Sequence, residues 1–196
     1  MTAPQRSRLK DGAMADDAAE QAAGAQDAAP DGSRLIRVAE LPQSNQDQMR
    51  AILHQAPLQA LLGLEFVELG AAHAIVSMPV REQAFNSTGN LHGGAIATLI
   101  DVAAGTAAAV GSGFRPGKQS LVTADLHVRY LGRPHGDIVY ARAEVLKAGR
   151  QQIVVACEVR DAGERLIASA DFSMMIVALR PPLRPTAGAT PTDPDL

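Results

Sequence analysis

The stretch Asn86-Ser-Thr-Gly-Asn-Leu-His-Gly-Gly-Ala-Ile-Ala-Thr-Leu-Ile-Asp101 joins a polar, glycine-bearing loop to a long apolar run that carries one carboxylate. Gly93 and Gly94 stand where a helix would start, and from Ala95 to Val110 the one charged residue is Asp101. A helix that is apolar all round has to be covered on most sides, so this segment belongs at the centre of a fold. Its N-terminus presents backbone N–H groups to developing negative charge. A lone carboxylate in apolar surroundings is costly unless it is paired or used. Together the two features point to chemistry at a carbonyl.

Outward from this helix, the pattern on both sides is that of strands. Upstream, Asn45 is placed to cap a helix whose apolar stripe is Met49, Ile52, Leu53, Ala56 and Leu61, with Pro57 bending or splitting it. Leu64 to Leu69 and Ala72 to Val80 read as two strands turning at Gly70. Gly111 and Gly113 end the central helix. Downstream come four strand-like runs, Leu121–Leu131, Asp137–Lys147, Gln151–Arg160 and Arg165–Val177, with turns at Ala148-Gly149 and Asp161-Ala162-Gly163. In the first of them, strict alternation puts Val122, Ala124, Leu126, Val128 and Tyr130 on one face, and Thr123, Asp125, His127 and Arg129 on the other. No crossover helices separate these strands, which disfavours a doubly wound α/β fold. The expected fold is α+β, a curved antiparallel sheet wrapped around one long helix.

The bulk properties narrow the functional class. At 196 residues the chain holds one ordinary domain. A net charge of −3, short scattered basic stretches, scarce aromatics and no Trp argue against a nucleic-acid binder. The single cysteine, Cys157, excludes an intrachain disulfide and reads as a core residue of an alternating strand. Residues 1–43 are expected to form a disordered N-terminal extension, 44–180 the folded domain and 181–196 a Pro-rich disordered tail. The acidic, Ala-rich start has no apolar signal core, so a soluble cytoplasmic protein is expected.

With these residues in hand, the chain resembles the hotdog-fold acyl-CoA thioesterases of the PaaI type. The resemblance rests on Asn86, on Gly89-Asn90-Leu91-His92-Gly93-Gly94 and on Asp101 nine residues after His92. It continues through Thr123–Tyr130, Gly136-Asp137 and Lys147–Arg150. It implies that Asp101 activates water or attacks the thioester, and that the Gly93 N–H polarises its carbonyl. Asn86 would hold the carbonyl or the water, Thr123 would position the water, and His92 would lie near the site. Gly94 and Leu91 would border the substrate, while Arg133, Lys147, Gly149 and Arg150 would meet the coenzyme A nucleotide. No metal and no separate cofactor are implied, coenzyme A being part of the substrate.

Each of these residues also has a structural reading. Asp101 could pair with a hydroxyl or an Arg, Gly93-Gly94 could serve tight helix entry, and Asn86 could close an Asx turn. Thr123 could be a plain strand residue, and His92 could fix the loop by hydrogen bonding. His127 could border the site, whereas His54, His73 and His135 read as surface residues.

Helix geometry adds a constraint that the motif alone does not state. Gly93 and Asp101 are eight residues apart, about 12 Å at 1.5 Å per residue. One thioester cannot touch both in the same chain, which predicts a homodimer with two shared sites and antiparallel central helices, or a homotetramer built from it. The expected function is hydrolysis of an acyl-CoA thioester to acid and coenzyme A. The alternative is a non-catalytic acyl-CoA-binding or sensing module on the same fold. Leu99, Val102, Phe85 and Met78 are candidates for the acyl pocket, and the acyl group, its carrier and the order of assembly stay open.

Overall fold

The computed structural model describes residues 36–179. Its centre is α3 (Gly93–Val110), which spans the residues expected of it. Ahead of it lie α1 (Gln43–Leu53) and α2 (Pro57–Leu62). The strands are β1 (Ile36–Arg37), β2 (Glu65–Gly70), β3 (His73–Pro79), β4 (Gln119–Tyr130), β5 (Ile138–Ala148), β6 (Gln152–Asp161) and β7 (Leu166–Ala178). They form one seven-stranded sheet in the order β1-β2-β3-β5-β6-β7-β4, antiparallel throughout.

Packing shows why this sheet must curve. Six strands, β2 to β7, all contact α3. Laid flat at about 4.8 Å per strand they would be far wider than a helix of about 10 Å diameter. Wrapping buries Ala74, Val76 and Met78 of β3, Val139, Ala141 and Ala143 of β5, and Ile153, Val155, Cys157 and Val159 of β6. Against them lie Ile96, Leu99, Ile100, Ala103, Ala104, Ala107 and Ala108 of α3. The small residues on both partners let helix and sheet approach closely. By length and composition α3 could cross a membrane, but here it is the helix that the sheet encloses.

The N-terminal boundary differs from expectation. Ile36 and Arg37 pair with Leu69 and Glu68, so ordered structure reaches eight residues ahead of the expected residue 44. Residues 1–35 of the expected N-terminal extension, residue 180 of the expected domain and the expected tail, 181–196, lie outside the described residues. Asn45 does not cap α1. The helix begins at Gln43 behind Pro42, whose ring fixes the entry, and Asn45 lies inside the first turn. Pro57 splits the helical segment by opening α2 as its first residue. Gly63 closes α2 in the left-handed conformation, at φ 65°.

A second difference lies in β4. Strict alternation fails because the pairing with β7 shifts between Thr123 and Asp125. The extra residue, Ala124, forms a bulge, and a one-residue slip exchanges the faces. Thr123 therefore faces inward opposite Met174, as do Leu126 and Val128 beyond the bulge. His127 and Arg129 face outward, where Arg129 Nη1 lies 2.9 Å from Asp171 Oδ2. Val122, expected to share the face of Leu126 and Val128, is instead exposed on the other side.

Two hairpin features yield tests. Asp161, buried at the end of β6, accepts backbone N–H bonds from His135, Gly163 and Arg165 at 2.8–3.0 Å. These bonds hold its carboxyl below the ordinary range and tie the 132–137 loop to the β6–β7 turn. A depressed folded value contributes stability that is complete above the unfolded value and lost as pH falls through the folded one. Melting curves of the wild type should therefore steepen in their acid decline below about pH 4, and those of Asp161→Asn should be flatter there. Cys157 is enclosed on β6, and burial, with Glu158 adding to it, pushes its thiol up to about 12. A thiol reagent should label the native protein at least about tenfold more slowly than the unfolded chain.

Candidate active site

The site grows out of the loop that enters α3. Asn86 Oδ1 accepts three bonds, from the Thr88 backbone N–H at 3.0 Å, the Thr88 hydroxyl at 2.8 Å and the Asn90 N–H at 3.0 Å. This is an Asx turn, closed further by Gly89 at φ 73° and by a bridge between Phe85 and Leu91. Asn86 thus builds the loop with its oxygen, and its Nδ2 has no acceptor among the described residues. The chain then delivers His92, whose N–H donates to the Ala84 carbonyl at 2.7 Å, as the N-cap of α3.

His92 decides which amide of the helix end stays available. Its Nδ1 accepts from the Gly94 N–H at 2.8 Å and so caps the helix with the ring. Its carbonyl accepts from Ala95 and Ile96 at 3.0 and 3.2 Å. Of the first four α3 amides, Gly93 alone has no acceptor among the described residues. The helix end therefore offers one free N–H, reinforced by the helix dipole. Gly94 is expected at the substrate, but its N–H is consumed by the cap. A side chain there would also collide with the cap, because a Cβ at 94 would lie 2.9 Å from His92 Nδ1.

Asp101 stands on the half-exposed side of the same helix. Its Oδ1 accepts from the Thr123 hydroxyl at 2.8 Å, and its Oδ2 has no partner among the described residues. The β4 bulge is what turns Thr123 toward α3. Asp101 borders an open two-lobed groove, about 400 and 420 Å³, between α3 on one side and α1 and α2 on the other. Val102 lines both lobes, whereas Leu99 and Met78, expected in the pocket, are fully buried in the core. Phe85 belongs to the entry loop and does not line this groove.

The remaining expected residues are not all brought together. Leu91 packs against the core beside the loop. Arg133 is exposed in the loop after β4, whose Tyr130 meets the start of α3. Lys147, Gly149 and Arg150 sit at the β5–β6 tip beyond the far end of α3, where Val145 packs against Gly111. The length of α3, about 27 Å, separates the two groups within one chain. His127 faces away from the site with Arg129 and Asp171. His54 and His73 are half-buried rather than surface residues, His54 Nε2 lying 2.8 Å from the Leu64 carbonyl.

Against this geometry, comparison with known proteins gives a consistent answer. A sequence profile described as the thioesterase superfamily matches residues 88–168. A Pseudomonas aeruginosa protein designated an esterase is 32% identical over 121 residues, covering 61% of this chain and 87% of its own. The chain belongs to the thioesterase superfamily. The 1,4-dihydroxy-2-naphthoyl-CoA hydrolase of Listeria monocytogenes is 27% identical over 110 residues, 56% of this chain and 87% of its own. A solved thioesterase family protein from Silicibacter pomeroyi has a TM-score of 0.59 at 27% identity, covering 67% of this chain and 97% of that one. The fold of this thioesterase is the hotdog fold, and thioester hydrolysis is the chemistry that its membership supports.

Tyr130, expected on the strand face of Leu126 and Val128, also meets the candidate site. Tyr130 donates its hydroxyl to the Gly93 carbonyl at 3.1 Å, and its ring covers Gly93, where a Cβ would lie 3.3 Å from the ring. It clamps the first residue of α3 and leaves little room for a side chain there. Losing one such bond costs about 0.5–1.5 kcal/mol. Tyr130→Phe should lower kcat about two- to tenfold with KM nearly unchanged, as steady-state kinetics on any accepted thioester would show.

Proposed function

We propose that the protein hydrolyses acyl-CoA thioesters to the free acid and coenzyme A. The observation that carries this reading is the single uncommitted N–H of Gly93 at the α3 N-terminus, together with the half-exposed Asp101 carboxylate two turns along the same helix. Hydrolysis passes through a tetrahedral oxyanion, and a fixed donor aimed at that oxygen lowers the barrier. The Gly93 N–H supplies the donor, and the Asn86 Nδ2 is a second polar group on the same loop. Asp101 acts at the carbonyl carbon, either as the base that takes a proton from water or as the nucleophile that forms an anhydride. Thr123 donates to Oδ1 and so fixes the carboxylate with Oδ2 directed to the reaction.

The separation of about 12 Å along α3 means that the two halves serve one thioester only when a second copy contributes. In a homodimer with antiparallel α3 helices, Gly93 of one copy faces Asp101 of the other. The same register carries the Lys147–Arg150 tip of one copy past the α3 N-terminus of the other, toward its Arg133. Those cations suit the phosphates of a coenzyme A nucleotide. The 1,4-dihydroxy-2-naphthoyl-CoA hydrolase among the relatives supports a coenzyme A thioester as the substrate. Leucine and isoleucine side chains along the groove fit an acyl group of substantial apolar area.

Complementation tests both the roles and the sharing. Asp101→Ala should reduce thiol release by more than about a hundredfold and leave the oligomer intact on size-exclusion chromatography. Gly93→Val, which drives a side chain into Tyr130, should also inactivate. Mixed oligomers of the two variants contain one site with both wild-type groups and should regain about half of the wild-type rate. Absence of recovery in verified mixed oligomers would defeat the shared site, and full activity of Asp101→Ala would defeat the chemistry.

A further inference from the structure

We infer that Gln59 is a specificity-determining residue, whose carboxamide hydrogen-bonds a polar substituent on the acyl group. This deepens the thioesterase reading above and rests on it. Gln59 lines both lobes of the groove beside Asp101, a distinction it shares only with Asp101 and Val102. Besides Asp101, the other polar side chains in the groove are the two threonines, and both are engaged. Thr98 Oγ1 donates to the Gly94 carbonyl at 2.9 Å and Thr106 Oγ1 to the Val102 carbonyl at 2.7 Å. Gln59 is half-buried, and its side chain makes no hydrogen bond among the described residues. Two N–H donors and one side-chain carbonyl acceptor thus stand uncommitted among the described residues, next to the reacting carboxylate.

The backbone that carries this side chain is held by its helix. The Gln59 backbone carbonyl accepts from the Leu64 N–H at 3.1 Å, the left-handed Gly63 ends α2, and Arg81 Nη2 donates to the Leu61 carbonyl at 2.9 Å. Leu62 anchors the same turn in the core. Gln59 lies outside the residues matched by the family profile, on an element that the match does not include. An acyl group entering the groove displaces the water that serves the carboxamide. A plain hydrocarbon leaves the amide unpaired, whereas a hydroxyl or oxo group on the acyl moiety replaces the lost bonds. A site built to bond such a group discriminates against the analogue that lacks it. Being neutral at every pH, glutamine does this without changing the charge seen by Asp101.

The test is a set of matched substrate pairs given to the full chain. Benzoyl-CoA is compared with 3- and 4-hydroxybenzoyl-CoA, and octanoyl-CoA with 3-hydroxyoctanoyl-CoA, for wild type, Gln59→Leu and Gln59→Met. The wild type should favour the hydroxylated member of at least one pair by tenfold or more in kcat/KM. Both variants should lose that preference, the hydroxylated member falling as its bond is lost and the unsubstituted member rising or holding as the stranded amide is removed. Turnover of the unsubstituted member confirms that each variant is folded, and two apolar replacements guard against failure of one. Equal use of both members by the wild type, or an equal fall on both in the variants, overturns the inference while leaving the thioesterase reading standing. No thiol release from any member by the wild type overturns the thioesterase reading, and the assignment of Gln59 with it.

Discussion

An α-helix advances about 1.5 Å per residue, and at this site that rise has consequences well beyond the helix. It places the free amide of Gly93 and the carboxylate of Asp101 about 12 Å apart on one rigid rod. Neither can move toward the other without breaking α3, whose inner face is locked into the core by Leu99, Ile100, Ala103 and Ala107. The sheet encloses that face and leaves the opposite one, with Ala97, Asp101, Gly105 and Ala109, only partly covered. A carbonyl held at Gly93 is out of reach of the same chain's Asp101. The closed and open sides of one helix thus set both the core and the limits of the chemistry.

The helix end shows how backbone groups are apportioned. Four N–H groups lack partners in the opening turn of any α-helix. Here the N–H of His92 goes to the Ala84 carbonyl, those of Gly94 and Ala95 go to the ring and the carbonyl of His92, and that of Gly93 is left. Tyr130 approaches from β4 and presses on that residue. Asn86 holds the preceding loop with its oxygen rather than reaching into the site with it. Much of the motif that resembles a catalytic signature is therefore scaffolding for one amide. That division of labour also accounts for both glycines, one accommodating a tyrosine ring and the other a histidine ring.

What could be read from the sequence was what local periodicity encodes. The bounds of α3 followed from an apolar run between two glycine pairs, and most strands from alternation at period two. Asp101, Gly93 and Thr123 were named for their chemistry, and the structure brings Thr123 onto Asp101. The features that escaped are those that depend on distant partners. β1 is two residues long and exists because β2 offers an edge. The Tyr130 bond to Gly93 spans 37 residues, and the setting of Gln59 depends on how α2 lies over α3. The face of Thr123 was misread because a bulge has no signature in an alternating run. The sequence pattern was continuous, and only the pairing with β7 shows where it breaks.

That bulge makes β4 unusual in what it tolerates. Ala124 contributes little as a side chain, yet its presence lets Leu121 and Thr123 face α3 on one side of it while Leu126 and Val128 do so on the other. Exchanging Ala124 for another residue alters one outward position. Deleting it would turn half of the strand inside out, taking either Thr123 away from Asp101 or Leu126 and Val128 out of the core. The geometry of this strand therefore depends on its length more sharply than on the side chain at 124. A single-codon deletion at 124 is a more damaging event than most substitutions along the same twelve residues.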